Sequence, residues 1–169
     1  MEQCRILIVE DEIIDSFHIR SVLLHFNYQM IEIVSSGEEA IERAGSFRPD
    51  IVLMDILLDG KVDGIMAAGI ILEKYDIPTI YLTSYNDEAT INKAKVTKPL
   101  GYLMKPIDST DLKNSIELAL YKHNAEKMVK ESDERYKALF NRSLDLIYLH
   151  DFNGKFLDAN NTTLNLLGY

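Results

Sequence analysis

Several side chains able to do ionic or nucleophilic chemistry stand directly after short apolar runs. Glu10-Asp11-Glu12 follows residues 4–9, Asp55 follows residues 51–54, Thr83 follows residues 79–82, and Lys105 follows residues 101–104 and precedes Pro106. Runs of this kind, rich in Ile, Val and Leu without strict alternation, read as strands covered on both faces. In an open α/β sheet the functional groups gather beyond the carboxyl ends of such strands. Carboxylates leaving two neighbouring strands at ~5 Å repel by roughly 3 kcal/mol at an effective dielectric near 20. A divalent cation with oxygen ligands and a lysine are the natural compensation, and Mg2+ suits a site that has few carboxylates and leaves positions open for phosphate oxygens and water. The set fits phosphoryl transfer onto a carboxylate, with the metal and Lys105 neutralising phosphoryl oxygens. Asp55 is the preferred nucleophile, because it stands alone at the end of an apolar run that would hold it rigidly.

The elements that must position these groups follow from the same pattern. Apolar runs at residues 4–9, 30–34, 51–54, 79–82 and 101–104 alternate with segments of helical spacing, such as Ile14, Phe17, Ser21 and Leu24. A second helix contains Ala40, Ile41 and Ala44, starts at the capping-box sequence Ser36-Gly37-Glu38-Glu39, and is expected to stop at Gly45. Five β-then-α units in about 125 residues predict a doubly wound α/β domain, because parallel strands require crossover connections. One long helical stretch runs from Ser109 to about Phe140. Leu112, Ile116, Ala119 and Leu120 are placed to cover the sheet. Leu118, Tyr121, Ala125, Met128, Ser132, Arg135 and Leu139 repeat at coiled-coil spacing. A solvated helix accounts for that spacing equally well, since Ser132 and Arg135 interrupt the seam. Strand character returns at residues 146–150 and 155–157 around Asn153-Gly154, a hairpin signal, and a short helix at residues 160–167 ends at Gly168.

Composition narrows the classes of function. The 169 residues carry 18 basic and 27 acidic side chains, a net charge of −9 that opposes general attraction to nucleic acid or an anionic membrane. No run approaches the ~20 apolar residues of a membrane span. The single cysteine, Cys4, cannot form an internal disulfide and reads as a small buried thiol, consistent with the cytoplasm. His18, His25, His123 and His150 lack metal-ligand spacing. Asp59 and Asp63, beside glycines, read as turn residues.

Residues 1–124 resemble the receiver domain of two-component response regulators. The motifs that carry the likeness are Ile6-Leu7-Ile8-Val9-Glu10-Asp11-Glu12, Asp50-Ile51-Val52-Leu53-Met54-Asp55, Pro78-Thr79-Ile80-Tyr81-Leu82-Thr83 and Gly101-Tyr102-Leu103-Met104-Lys105-Pro106. The resemblance implies a flavodoxin-like sheet of order 2-1-3-4-5 and a phosphoacceptor at Asp55. It places Glu10, Asp11, Asp55 and the Leu57 backbone carbonyl around Mg2+, and gives Lys105 the phosphoryl contact. Thr83 becomes a switch hydroxyl with Tyr102 as the aromatic that follows it, and the Lys105-Pro106 bond is expected to be cis. A histidine kinase or phosphotransfer protein is the implied donor. Signal is expected to leave through residues 86–98 and the long helix, with a homodimer through the last strands and that helix as the implied assembly. The loop at residues 58–64 departs from the family pattern, having one extra residue and no proline; Ser84 and Thr97-Lys98-Pro99-Leu100 depart as well.

Residues 141–169 resemble the opening of a PAS sensor domain, through Asp145-Leu146-Ile147-Tyr148-Leu149, Asp158-Ala159-Asn160-Asn161 and Leu166-Leu167-Gly168-Tyr169. They are too few to complete that α+β fold, so a truncated segment is expected, joined to the receiver by a helical linker at residues 125–140. Competing readings are an aspartyl-nucleophile phosphatase, a flavodoxin-like binding module, and a degenerate receiver used as an interaction platform. The phosphatase would require its second acid at position 57, and the flavin module a phosphate-cradling loop where Glu10-Asp11-Glu12 stands.

Overall fold

The computed structural model describes residues 4–84 and 93–168. Contacts divide the chain near residue 123 into two compact units. The first is a five-stranded parallel sheet of order β2-β1-β3-β4-β5, built from β1 (Arg5–Val9), β2 (Met30–Val34), β3 (Ile51–Asp55), β4 (Thr79–Thr83) and β5 (Gly101–Met104). Helices α1 (Ile13–His25), α2 (Gly37–Phe47) and α3 (Gly64–Tyr75) connect the first four strands, and α4 (Ser109–Arg142) follows the fifth.

Alternation along each strand sends successive side chains to opposite faces. Leu7, Val9, Val52, Met54 and Tyr81 join Ala40, Ala44, Ala67 and Ile71 in one core. Ile6, Ile8, Leu53, Ile80 and Leu82 join Ile19, Leu23, Leu112, Ile116 and Ala119 in the other. Both faces are therefore covered, which is why the strands read as continuous apolar runs. Each large side chain that is fully buried contributes roughly 1.5–3 kcal/mol.

Two expectations about helices are corrected. Helical spacing placed α1 properly, but Ile14, Phe17, Ser21 and Leu24 are all exposed, and the inward face is Ser16, Ile19 and Leu23. Ser16 is tolerated inside because its hydroxyl donates to the Ile13 carbonyl at 2.9 Å. Helix α2 does not stop at Gly45 but continues to Phe47, where Arg48 takes the left-handed conformation at φ 52°. Gly45 answers a packing need instead, since a Cβ there would lie 2.7 Å from the Tyr75 hydroxyl. The N-terminal signal is met in its first half, Ser36 accepting from the Glu39 backbone N–H, whereas the Glu39 carboxylate accepts from the Ser35 N–H rather than from that of the cap residue. Cys4 is half-buried; burial, with Asp50 nearby, pushes its thiol up to about 11.

In the second unit β6 (Tyr148–His150) pairs antiparallel with β7 (Phe156–Ala159), and α5 (Asn161–Leu167) follows. Asp151 closes the turn by accepting from the Asn153 and Lys155 N–H groups at 2.9 Å. Asn160 is fully buried and caps α5 through the Thr163 N–H, while its amide donates to the Asp145 and Ser143 carbonyls. Among the described residues, no helix is long and apolar enough to cross a membrane.

Candidate functional site

Strands β1 and β3 are hydrogen-bonded neighbours, with Val9 opposite Met54. Their carboxyl ends therefore deliver Glu10, Asp11 and Asp55 to one place, where a carboxylate oxygen from each lies within 4.8 Å of the others. Glu10 and Asp55 are buried, at 2% and 7% exposure, so the repulsion expected from sequence acts where water screens it least.

Lys105 supplies the compensation. Strand β5 ends at Met104, the Lys105 N–H donates to the Thr83 carbonyl at 2.9 Å, and the Lys105-Pro106 bond is cis, as the resemblance implied. The ammonium lies 2.5 Å from Asp55 Oδ2 and donates to Glu10 Oε1 at 2.9 Å. Burial alone would lower the lysine pKa, but hydrogen bonds and charge from Asp55 and Glu10 hold it above its ordinary value. Glu10 moves to about 7, because burial disfavours its charged form and Asp55 repels it, outweighing the help from Lys105.

The remaining oxygens reveal what the pocket lacks. Asp55 Oδ1 accepts from the Leu57 N–H at 2.8 Å, and Asp11 Oδ2 accepts from the Asp59 N–H at 3.4 Å. Glu10 Oε2 is buried and accepts no directed hydrogen bond, although the Lys105 charge is 2.8 Å away. A buried carboxylate oxygen with an open lone pair, beside two further carboxylates, is the hard oxygen set that Mg2+ takes with part of its water shell retained. The residues fit that ion.

The loop after Asp55 is shaped by close backbone approach. A Cβ at Gly64 would lie 1.9 Å from the Asp55 carbonyl oxygen, so only glycine lets α3 begin so close to the nucleophile candidate. Asp63 caps α3 by accepting from the Met66 N–H at 2.8 Å, which is the turn role expected of it.

Thr83 is buried and donates to the Ser84 carbonyl at 3.2 Å. Tyr102 pairs across strands with Tyr81, its ring centroid 5.8 Å away, and its hydroxyl is buried without a hydrogen-bond partner among the described residues. Thr97, in a short 3-10 turn at Lys95–Thr97, donates to the Ala94 carbonyl, which leaves the Tyr81 hydroxyl to donate to Thr97 at 2.8 Å. The rest of the expected output surface, residues 86–92, lies outside the described residues.

One participant was missed from sequence. Asp15, in the first turn of α1, places Oδ2 3.3 Å from the Lys105 ammonium. Nothing local marks it, because its partner is 90 positions away; helical phasing of α1 from Asp11 was the only available signal. The acidic cluster found among the described residues is Glu10, Asp11 and Asp55, without a histidine.

The family model of the response regulator receiver domain matches residues 6–117. The transcriptional regulatory protein PdtaR of Mycobacterium tuberculosis (strain ATCC 25618 / H37Rv) is 34% identical over 116 residues, 69% of this chain and 56% of that protein. The positive alginate biosynthesis regulatory protein of Pseudomonas aeruginosa is 33% identical over 116 residues, 68% of this chain and 46% of its own. The chain thus spans about half the length of these curated relatives. Among solved structures, the signal receiver domain of a modulated diguanylate cyclase from Desulfovibrio desulfuricans G20 superposes with a TM-score of 0.69 at 38% identity, covering 72% of this chain and 96% of that one. The N-terminal domain of a response regulator/sensory box/GGDEF 3-domain protein from Carboxydothermus hydrogenoformans does so at 0.67 and 33% identity, covering 72% and 98%.

Proposed function

The chain belongs to the response regulator receiver domain family, and from that premise we propose that Asp55 accepts a phosphoryl group from a histidine kinase or phosphotransfer protein. The observation that carries the proposal is the convergence of Asp55, Glu10 and Asp11 with Lys105 at the ends of three strands. An Asp55 carboxylate oxygen attacks phosphorus, the bond from phosphorus to the donor breaks, and an acyl phosphate forms while the donor leaves with the bonding electrons. Asp55 Oδ1 is oriented by the Leu57 N–H, and the buried β3 backbone fixes the direction of attack. Lys105 exchanges its carboxylate contacts for phosphoryl oxygens and stabilises their charge. Glu10, Asp11, Asp55 and the Leu57 carbonyl are the proposed Mg2+ ligands; bound there, the ion supplies charge neutralisation for the transferring phosphoryl group.

Thr83 is proposed to turn from the Ser84 carbonyl toward the new phosphoryl oxygens, with Tyr102 settling beneath it. Residues 1–124 are proposed as the receiver, 125–140 as a linker continuing its last helix, and 141–169 as the start of a PAS-like sensory domain. That last assignment draws support from the hairpin and its capped helix, and from the sensory box that the Carboxydothermus hydrogenoformans protein carries beside its receiver. The phosphatase reading is disfavoured because position 57 offers Asp55 a backbone N–H and an exposed leucine rather than an acid.

Incubation with acetyl phosphate and Mg2+, followed by intact-mass measurement, tests the proposal. A gain of one phosphoryl group without sustained hydrolysis of a generic phosphoester is expected. Continuous turnover of that phosphoester favours the phosphatase, and no gain in mass favours the interaction platform.

A further inference from the structure

Lys105 meets three carboxylates from three elements: Glu10 after β1, Asp55 on β3 and Asp15 on α1. Glu10 and Asp55 belong to the acidic pocket; Asp15 does not. Counting side-chain atoms alone, Asp15 is 36% exposed against 10% for Asp55. A cleft of about 50 Å3 lies between α1 and the segment after β5, lined by Asp15, His18, Ile19, Lys105, Pro106 and Ile107. That volume exceeds the space one water needs, so the ammonium has room to shift toward Asp15 and remain hydrated.

The pocket creates a problem for the lysine. An ion held by Glu10, Asp11 and Asp55 would draw on carboxylates that Lys105 now contacts and would repel its positive charge. An ammonium stripped of partners in a half-buried site is costly. Asp15 is the carboxylate already in contact that the ion does not claim.

We infer that Asp15 is a second counter-ion station for the Lys105 ammonium, retaining the lysine at the pocket when a divalent cation occupies Glu10, Asp11 and Asp55. The inference rests on the proposed Mg2+ site and extends it to a positioning residue outside the ligand set. Without Asp15, Lys105 stays wholly on Glu10 and Asp55 and competes with the incoming ion.

The test uses the full chain, magnesium chloride titrated by calorimetry, and three variants. Asp15→Asn should weaken Mg2+ affinity by about threefold to tenfold, the scale of one screened charge contact. Asp15→Glu should recover most of it, and Glu73→Gln on α3, an equal loss of charge elsewhere, should stay near wild type. A second readout follows acylation of Lys105 by a neutral amine reagent, resolved by peptide mapping at saturating Mg2+. Asp15→Asn should label several-fold faster, because an ammonium no longer held against Asp15 leaves the cleft and meets the reagent. Equal affinity and equal labelling in wild type and Asp15→Asn overturn the inference, as does a Glu73→Gln loss matching that of Asp15→Asn. Failure of the phosphoacceptor proposal looks different: wild-type protein binds Mg2+ normally yet gains no mass with acetyl phosphate. A wild-type protein that binds no Mg2+ overturns the inference itself.

Discussion

Three carboxylates and one ammonium share the ends of β1, β3 and β5, and each responds differently to losing a neighbour. Asp11 is the most exposed of the three acids and has no ion pair with Lys105, so Asp11→Ala removes repulsion without orphaning a buried partner. The expected outcome is a folded protein, at least as stable as wild type without metal, whose Mg2+ affinity falls by an order of magnitude or more; calorimetric titration checks both halves. Glu10 sets a pH dependence with a definite sign. Its folded pKa of about 7 lies above the ordinary carboxylate value, so its contribution to stability is full below pH ~4.5 and is lost as pH rises through about 7. Lys105 titrates above this window and contributes a constant. Metal-free protein should therefore lose stability as pH rises from ~4.5 to ~8. Thermal melts in chelator should show that decline flattened in Glu10→Gln and reversed by added Mg2+ at pH 8.

Elements matter here through how closely they approach. Gly64 lets α3 begin against the Asp55 carbonyl, so Gly64→Ala must push the helix away or twist β3. A loss of about 2–4 kcal/mol is expected, with weakened Mg2+ binding, measured by denaturant melts and titration. The central strands were legible in sequence because both faces of the sheet are buried there, which makes 51–54 and 79–82 continuous apolar runs that fall within β3 and β4. The site was legible from the same pattern, since Glu10, Asp55 and Lys105 mark where the runs of β1, β3 and β5 stop. Helix α1 misled because hydrophobicity fails as a guide when Ile13, Ile14 and Phe17 face outward and Ser16 is buried with its hydroxyl satisfied by the backbone. Gly45 misled because a glycine demanded by the Tyr75 ring in another helix looks like one demanded by a helix end. Asp15 stayed invisible because tertiary contact alone gives it Lys105.

For the whole molecule, the question is how a change at Asp55 reaches the rest of the protein. Thr83 and Tyr102 sit on the last two strands, and α4 continues from Leu112, Ile116 and Ala119 under the sheet to exposed Leu118, Tyr121, Met128 and Leu139. If the proposed signal leaves along this helix, pairing of these exposed positions with a second copy is the expected output, coupled to Asp55 by about 1–3 kcal/mol. Sedimentation with beryllofluoride, a stable mimic of the aspartyl phosphoryl group, should shift the monomer–dimer equilibrium in wild type and leave Thr83→Ala nearly unchanged. Identical association in both, with the mimic bound, places the output elsewhere. The most direct measurement addresses Asp55 itself: treat wild type and Asp55→Asn with acetyl phosphate and Mg2+, reduce any acyl phosphate with borohydride, and map the product by peptide mass. Homoserine at position 55 in wild type, with no modification of the variant, is the expected result. Modification at another residue, or equal modification of both proteins, contradicts Asp55 as the phosphoacceptor.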